Sequence, residues 1–239
     1  MNSLQERFHN EINELVEACH RCAQLNYVTS AGGNLSVRVA EDMLLITPTK
    51  TLKRTMRFDD ICIINLNGDV LYASEGKKPT GEWRFHTRIM HKRPDVLAIV
   101  HAHPPILTGF AIVNNDLLNK AFLPEPIIEI GPLLTVPYET PLSEKLSERF
   151  DAVIDHSNGF LMENHGALFC SSVGITDAVE LLNMAECMAK SVLVAEIFGN
   201  AKPLSSSCIE DMDKVTKIRN LKMPGKPGKF SSASDLYQI

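Results

Sequence analysis

One short segment near the middle of the chain limits the possible folds and functions more than any other. Residues 96–100 (VLAIV) are an apolar run that leads into His101-Ala102-His103 and is closed by Pro104 and a second proline. A run of aliphatic and β-branched residues of this length is typical of a buried strand. Because side chains alternate along a strand, both histidines are predicted to lie on the same face.

Two neighbouring imidazoles at the end of a buried strand point to a metal site. Neutral imidazole is a common ligand of zinc and of similar divalent ions. A pair of hydrogen-bonded histidines at a strand end is the alternative interpretation of the same pattern. Two ligands do not make a metal site, so the rest of the chain has to supply a third ligand and a group that moves protons.

Length, composition and charge narrow the class of protein. The chain has 239 residues, a net charge of −5, 44% hydrophobic residues and 22% charged residues. One large α/β domain is expected at this length. The acidic balance argues against binding to nucleic acid or to a membrane surface, for which a basic patch is expected. The first residues lack a signal-peptide pattern and no apolar run approaches the ~20 residues that span a bilayer, so a cytoplasmic location is expected.

Hydrophobic periodicity predicts helices towards both ends of the domain and strands between them. Apolar residues recur at three- and four-residue spacing over 4–25, which predicts one amphipathic helix of about six turns. Strands or extended segments are predicted at 35–39, 43–46, 61–66, 70–72, 96–100, 127–130, 133–138, 159–163 and 167–170. Further helices are predicted at 82–92, 106–113, 143–150 and 176–198, with Ser143 and Thr176 as N-caps and Gly199 in the C-cap.

These elements predict a single αβα-layered domain over residues 1–200, of the α/β class. Asn67-Gly68 between two strand-like runs is a hairpin signal, so the first half of the sheet is expected to be antiparallel. Residues 201–239 are rich in Pro, Gly, Ser and Lys. We expect them to form a C-terminal tail that packs on the domain or is partly disordered.

Two further residues could complete a catalytic metal site. His165 lies in a predicted turn between two strands, from which a side chain can project at the sheet edge. Three histidines would leave an open position on zinc, which a catalytic metal needs. Glu82 opens a predicted helix, a favourable place for a carboxylate, and is the candidate acid or base. A surface histidine and a first-turn glutamate without a chemical role are the alternatives, and His86, one helical turn later, could compete as a ligand.

Three loops could bind an anion. Residues 32–34 (GGN) offer backbone N–H groups and conformational freedom. Residues 47–50 (TPTK) add two hydroxyls and an ammonium, and Thr80-Gly81 precede a helix N-terminus. Turn formation explains each of these loops equally well. The sequence contains neither a Walker motif nor a dinucleotide-binding motif, which argues against nucleotide binding.

In their order along the chain, these motifs resemble the class II aldolase/adducin family, most closely its L-fuculose-1-phosphate aldolase-like branch. The matching segments, which fall within residues 5–200, are GNLSVR at 33–38, ITPT at 46–49, EGKKPTGEWRFH at 75–86, RPD at 93–95, HAH at 101–103 and NHGA at 164–167. The resemblance implies a mixed, largely antiparallel central sheet between helical layers. It also implies a homotetramer with active sites at the subunit interfaces.

The resemblance assigns roles to individual residues. It implies that zinc is held by His101, His103 and His165, and that Glu82 is the catalytic acid/base, which can also contact the metal when substrate is absent. Manganese or cobalt could replace zinc, because imidazole suits several of these ions. Tyr237 is a candidate for a tyrosine that the tail brings to the site. The positions that match the phosphate-binding residues are Gly33, Asn34, Thr49, Lys50, Thr80 and Gly81.

Two of these positions depart from the aldolase pattern. Lys50 stands where a glycine usually follows Thr-Pro-Thr, and Gly81 stands where a second serine usually precedes the glutamate. The missing hydroxyl removes one contact to a phosphate. The lysine could restore the charge, could indicate a carboxylate or a differently placed anion, or could be a solvent-exposed residue without a role.

The resemblance predicts a metal-dependent carbon–carbon lyase that acts on a small sugar phosphate or a related acid. The leading hypothesis is reversible cleavage of a ketose 1-phosphate, such as L-fuculose 1-phosphate, to dihydroxyacetone phosphate and an aldehyde. Zinc would stabilise an enediolate and Glu82 would move the proton. A sugar-phosphate epimerase, an oxo-acid decarboxylase and a dehydratase are the alternatives within the family. A non-catalytic, adducin-like binding domain is disfavoured, because the set of three histidines and Glu82 is complete.

Overall fold

An eight-stranded sheet forms the centre of the computed structural model, which describes residues 3–238. Its strands are β1 Asn34–Ala40, β2 Met43–Ile46, β3 Cys62–Ile64, β4 Val70–Tyr72, β5 Ala98–Ala102, β6 Leu134–Val136, β7 Gly159–Met162 and β8 Gly166–Ser171. The order across the sheet is β4-β3-β2-β1-β5-β8-β7-β6. Neighbouring strands are antiparallel except for β6 and β7. The expected mixed, largely antiparallel sheet is therefore confirmed.

Helices cover both faces of this sheet. They are α1 Ser3–Arg7, α2 His9–Gln24, α3 Trp83–Lys92, α4 Pro105–Val113, α5 Pro124–Glu129, α6 Glu144–Arg149, α7 Ile175–Phe198, α8 Ser206–Ile218 and α9 Ala233–Tyr237. Helices α2, α4 and α7 pack on one face, where they share a large apolar cluster with the sheet. Helices α3 and α6 pack on the other face around a second cluster. The arrangement is the predicted αβα layering.

Strand β5 shows how alternation of side chains divides the two layers. Ala98 and Val100 point into the cluster with α2 and α7, whereas Ile99 points into the cluster with α3. His101 has the same parity as Ile99 and meets the ring of Phe85 edge-on, with 5.6 Å between ring centroids. Because β1 and β8 flank β5 in the middle of the sheet, His101 is fully buried.

Three local predictions were wrong. Residues 127–130 do not form a strand, because they lie in or next to α5, which begins at Pro124. Proline suits the first turn of a helix, where its missing N–H is not needed. The N-cap of α7 is Gly174 rather than Thr176, which lies inside the first turn. The predicted six-turn N-terminal helix is interrupted at Phe8 between α1 and α2.

The C-terminal tail contains α8 and α9, which pack against each other. Ile209 of α8 and Ala233 of α9 are fully buried in a third, small apolar cluster. Ile127 of α5 contributes to the same cluster, so the tail is anchored to the domain at this point. Among the residues that the structure describes, none of the helices is both long enough and apolar enough to cross a membrane.

Candidate metal centre

Three histidines from distant parts of the chain converge at one end of the sheet. His101 is the fourth residue of β5, His103 follows that strand directly, and His165 lies in the turn between β7 and β8. One ring nitrogen from each lies within 4.8 Å of those of the other two. The Nε2 atoms of His101 and His103 are 3.2 Å apart. The structure therefore brings together all three metal ligands that the resemblance implies.

Contacts with neighbouring backbone groups position His101 and His103. His101 Nδ1 donates a hydrogen bond to the carbonyl oxygen of Ala167 at 3.0 Å, which leaves the lone pair on Nε2 free to bind a metal. The backbone N–H of His103 donates to Tyr27 O at 2.7 Å. A Cβ atom at Gly166 would lie 2.6 Å from the His103 ring, so this close approach requires glycine.

Glu82 lies next to two of these histidines. It is the N-cap residue of α3, and its side chain is nine-tenths buried. Glu82 Oε2 is 3.7 Å from His101 Nε2, and Oε1 is 3.5 Å from His165 Nε2. Oε2 accepts a hydrogen bond from Asn34 Nδ2 at 2.7 Å. Oε1 is buried and accepts no hydrogen bond from the residues that the structure describes.

Burial favours the neutral form of the three imidazoles. It is the largest cause of the lowered pKa of His101, which lies well below the usual value, and the neighbouring His165 and His103 lower it further. Burial also lowers the pKa of His103 to about 4. The pKa of His165 is lowered by burial, against an opposing effect of Glu82. Neutral imidazole is the form that binds metals, so the electrostatics suit ligation.

The donor set fits a divalent metal ion. Nitrogens that bind zinc tetrahedrally at about 2.0–2.1 Å lie about 3.3 Å from one another. The separation between His101 Nε2 and His103 Nε2 is close to this value. Glu82 Oε1 is a buried oxygen without a hydrogen bond in the described part of the chain, and a bound cation would give it a partner. The four side chains could therefore hold a metal, and imidazole ligands alone do not select which one.

A family model described as "Class II Aldolase and Adducin N-terminal domain" matches residues 13–193. The chain belongs to this family. The match includes the three histidines and Glu82, so the predicted family membership is confirmed.

Similar proteins in this family carry more than one activity in their names. The chain is 28% identical over 203 residues to the 3-oxo-tetronate 4-phosphate decarboxylase of Haemophilus influenzae, covering 84% of this chain and 90% of that protein. It is 29% identical over 192 residues to the L-fuculose phosphate aldolase of Methanococcus maripaludis, covering 80% and 99%. A solved L-fuculose 1-phosphate aldolase shares the fold with a TM-score of 0.78 at 23% identity, covering 87% of this chain and 96% of that one.

The predicted anion-binding loops meet next to this cluster. Gly33 has a positive φ of 69°, and a Cβ atom there would lie 2.8 Å from the His101 carbonyl oxygen. The loops around Thr49 and Thr80 run side by side, because Thr80 N donates to Thr47 O at 3.0 Å and Thr49 N donates to Lys78 O at 2.9 Å. Two of the three candidate loops are thus hydrogen-bonded to each other, and one of them leads directly into Glu82.

The structure shows a distinctive feature at each of the two positions that depart from the aldolase pattern. Lys50 has a φ of 54°, a left-handed conformation that favours glycine, and its side chain is exposed. A Cβ atom at Gly81 would lie 2.8 Å from Cδ2 of Leu142. Leu142 itself has a φ of 69° and is more than half exposed. An apolar side chain therefore occupies the space next to Gly81 where a serine side chain would project.

One charged group near the site could not be predicted from the sequence. Lys53 is almost fully buried, and its Nζ lies 3.4 Å from Ala31 O and 3.3 Å from Thr51 O. Its positive charge contributes to the lowered pKa of His103. Nothing in the local pattern separates this lysine from the exposed Arg54 beside it, because the short 3-10 turn that buries it has no periodicity to read.

Two candidate residues do not reach the histidines. Tyr237 packs against the third apolar cluster beside Ile209 and Ala233, and burial raises its pKa. His86 is fully buried, but its two ring nitrogens contact Ser36 and an oxygen of the Asn34 side chain. It is therefore a neighbour of the site and lies outside the set of converging ligands.

Proposed function

We propose that this protein is a metal-dependent lyase that breaks a carbon–carbon bond next to a carbonyl group of a small sugar phosphate. The leading candidate reaction is reversible cleavage of a ketose 1-phosphate, such as L-fuculose 1-phosphate, to dihydroxyacetone phosphate and an aldehyde. The observation that carries the proposal is the position of Glu82. Its Oε1 is buried, accepts no hydrogen bond in the described part of the chain and faces His165 Nε2 at 3.5 Å.

A metal fits this reaction because the cleaved bond leaves its electron pair on the carbon next to the carbonyl. His101, His103 and His165 would hold the ion, with Glu82 close enough to contact it when substrate is absent. When bound, a divalent ion supplies Lewis-acid stabilisation of the negative charge that develops on the substrate oxygens. Zinc is the ion we propose, with manganese or cobalt as substitutes.

Glu82 is the group that moves the proton. In the cleavage direction, the hydroxyl group that becomes the aldehyde releases its proton to solvent, and protonated Glu82 gives a proton to the carbon that keeps the electron pair. In the direction of synthesis, the carboxylate removes a proton from the same carbon. The Asn34 amide at 2.7 Å stays on Oε2, so Oε1 is the atom that is free to carry the proton.

The adjoining loops would bind the anionic end of the substrate. Gly33 lies buried directly before β1, Thr49 is exposed in the loop after β2, and Thr80 precedes α3, whose N-terminus favours a negative charge. Lys50 adds an exposed positive charge directly after Thr49. Gly81 contributes no hydroxyl, so the phosphate contacts differ from the pattern that the resemblance implies.

Decarboxylation of an oxo-acid phosphate is the second candidate. The missing hydroxyl at Gly81 and the apolar Leu142 beside it support binding of a substrate whose anionic end differs in shape from that of a ketose 1-phosphate. The identity to a decarboxylase, 28%, is also close to the identity to an aldolase, 29%. In this reaction carbon dioxide leaves, and the carbon that retains the electron pair takes its proton from Glu82.

Product analysis with the zinc-loaded protein tests both candidates. L-fuculose 1-phosphate and a 3-oxo-tetronate 4-phosphate are supplied separately. An aldehyde fragment supports aldol cleavage, carbon dioxide supports decarboxylation, and an altered sugar phosphate with an unchanged carbon count would indicate epimerisation instead. A protein that binds no stoichiometric divalent ion near neutral pH would overturn the lyase proposal and favour an adducin-like binding domain.

We also propose a homotetramer with active sites at the subunit interfaces. Large apolar side chains near the ends of two helices support association, since Phe198 of α7 and Ile218 of α8 are more than four-fifths exposed. Light scattering coupled to size-exclusion chromatography measures the mass directly. A mass near the 26.5 kDa of one chain would contradict this part of the proposal.

A further inference from the structure

A line of buried polar side chains leads from the interior of the domain to Glu82. Ser36 Oγ lies 2.7 Å from His86 Nδ1, and His86 Nε2 lies 2.6 Å from Asn34 Oδ1. Asn34 Nδ2 lies 2.7 Å from Glu82 Oε2. Ser36 and His86 are fully buried, and Asn34 is almost so. Buried polar groups are costly unless they are paired, and each member of this line is paired with the next.

The two-residue repeat of β1 and the four-residue spacing along α3 place these four side chains next to one another. Asn34 and Ser36 are two residues apart on β1, so they point to the same face of the sheet. Glu82 and His86 are four residues apart across the start of α3, so they lie on the same side of the helix. Strand β1 pairs with β5 so that Asn34 lies opposite His101, which places the line next to the metal ligands.

In each hydrogen bond of the line, the donor belongs to the residue farther from Glu82 and the acceptor to the residue nearer to it. Asn34 presents its NH₂ group to the carboxylate, so its carbonyl oxygen is left to accept from His86 Nε2–H. Burial lowers the pKa of His86 to about 3, so the ring is neutral and carries only this one N–H. Nδ1 is then an acceptor, and the Ser36 hydroxyl has to donate to it.

We propose that Ser36 and His86 are positioning residues, which set the orientation of the Asn34 amide and thereby hold Glu82 by Oε2 with Oε1 turned towards the three histidines. This inference rests on the proposed function, in which Glu82 moves the proton. Ser36 fixes which ring nitrogen of His86 carries the hydrogen. His86 in turn fixes which end of the Asn34 side chain faces the carboxylate.

The proposal predicts what the loss of the Ser36 hydroxyl does. Without this donor, His86 is free to carry its hydrogen on Nδ1, and Nε2 becomes an acceptor. The Asn34 amide then turns over to donate to His86. Its carbonyl oxygen faces the Glu82 carboxylate, where two acceptors repel each other. The carboxylate moves, although every metal ligand is still present.

The position of the hydrogen can be measured on the zinc-loaded wild-type protein. Histidine-selective ¹⁵N labelling and NMR distinguish the two neutral forms of the ring, with the His86 signals assigned from a His86→Asn variant. We expect hydrogen on Nε2 of His86. Hydrogen on Nδ1 would overturn the proposed order of donors and acceptors from Ser36 to Glu82. This measurement does not require that the protein have lyase activity.

Kinetics of the zinc-loaded Ser36→Ala variant test the consequence for catalysis. We expect kcat to fall about 10- to 100-fold, as for other residues that orient a catalytic group, with unchanged KM and zinc content. Ser36→Thr keeps a hydroxyl and should recover most of kcat. Ser147→Ala is the matched control, because Ser147 is also buried but donates to Glu144 O outside the line.

The outcomes separate this inference from the proposed function. A wild-type protein without lyase activity would contradict the proposed function, while the NMR measurement would still decide the direction of the line. An active wild-type protein whose Ser36→Ala variant keeps its full kcat would overturn the positioning role alone. A loss of kcat that Ser36→Thr does not recover would also overturn it, since any change at this buried position would then have the same effect.

Discussion

Asn34 holds one oxygen of the Glu82 carboxylate and leaves the other without a hydrogen bond. The 2.7 Å contact from Asn34 Nδ2 is to Oε2, and Oε1 is unpaired within the described residues. The resemblance placed Asn34 among the phosphate-binding positions. Its carbonyl oxygen is already engaged by His86, so only its second N–H remains for a phosphate.

Glu82→Gln removes the proton-carrying group while keeping an oxygen that can accept from Asn34. We expect kcat to fall about 10²- to 10⁴-fold, the usual contribution of a general acid or base. Zinc content should be retained, because three histidines remain. Steady-state kinetics and metal analysis check both statements, with the exposed Glu148→Gln as control. Wild-type kcat in a zinc-loaded Glu82→Gln protein would show that another group moves the proton.

Zinc should stabilise the folded protein through the three histidines. A ligand present at about 100 times its Kd raises the free energy of unfolding by about 2.7 kcal/mol. Thermal melts with and without zinc should therefore differ for the wild type and coincide for His101→Ala and His165→Ala. The exposed His91→Ala is the control and should keep the zinc-dependent shift. A zinc-dependent increase in melting temperature that persists in His101→Ala would show that zinc binds at another site.

The stability of the metal-free protein should fall in mild acid. Burial lowers the pKa of His86 to about 3 and that of His103 to about 4, from an unperturbed 6.5. Between about pH 6.5 and pH 4 the unfolded chain therefore binds more protons than the folded protein, so stability rises with pH across this window. Urea unfolding at several pH values measures it. A free energy of unfolding that stays constant over this range would contradict the neutral state of the buried rings.

The charge of Lys50 and its backbone conformation can be tested separately. Lys50→Gly removes the charge and suits the left-handed φ of 54°, whereas Lys50→Gln removes the charge alone. If the ammonium binds the substrate anion, both variants should raise KM about tenfold, as expected for one charge-assisted hydrogen bond. An unchanged KM in both would show that Lys50 is a solvent-exposed residue without this role.

Gly81 and Leu142 should be energetically coupled. A serine side chain at Gly81 would push against Leu142 Cδ2 at 2.8 Å, whereas Leu142→Ala makes room for it. In a double-mutant cycle we expect Gly81→Ser to cost about 0.5–3 kcal/mol less in the Leu142→Ala background than in the wild type. Urea unfolding measures this difference. Equal costs in the two backgrounds would show that the side chains do not compete for the same space.

Long periodic segments were predictable from the sequence, and short apolar ones were not. The alternation in β1 and the apolar stripe of α7 each specify one type of element. The run Ile127-Ile128-Glu129-Ile130 fits a strand or a helical turn equally well, because it is too short to show a period. Two prolines just before it, Pro124 and Pro126, suit the first turn of a helix, and the structure has helix α5 there.

Some features of the candidate site could likewise be predicted from the sequence, and others could not. The three converging histidines could be predicted from their residue type and from the spacing of two of them along one strand. The role of His86 depends on a match between β1 and α3, two elements about 50 residues apart, and only the packed structure shows it. The burial of Lys53 and the contact between Gly81 and Leu142 also depend on tertiary packing.

His101 lies within β5, a strand of the core, whereas Lys50 and Leu142 lie in loops. The position of His101 should therefore tolerate few changes, whereas the loops next to the site can vary. A one-residue slip of β5 would turn His101 and Ile99 to the opposite layer together, so an insertion or deletion in β5 that moves His101 also disrupts the core. Lys50 and Leu142 lie in loops that carry no such constraint. Laboratory evolution of new substrate preferences should therefore accumulate mutations in these loops and leave the strand untouched.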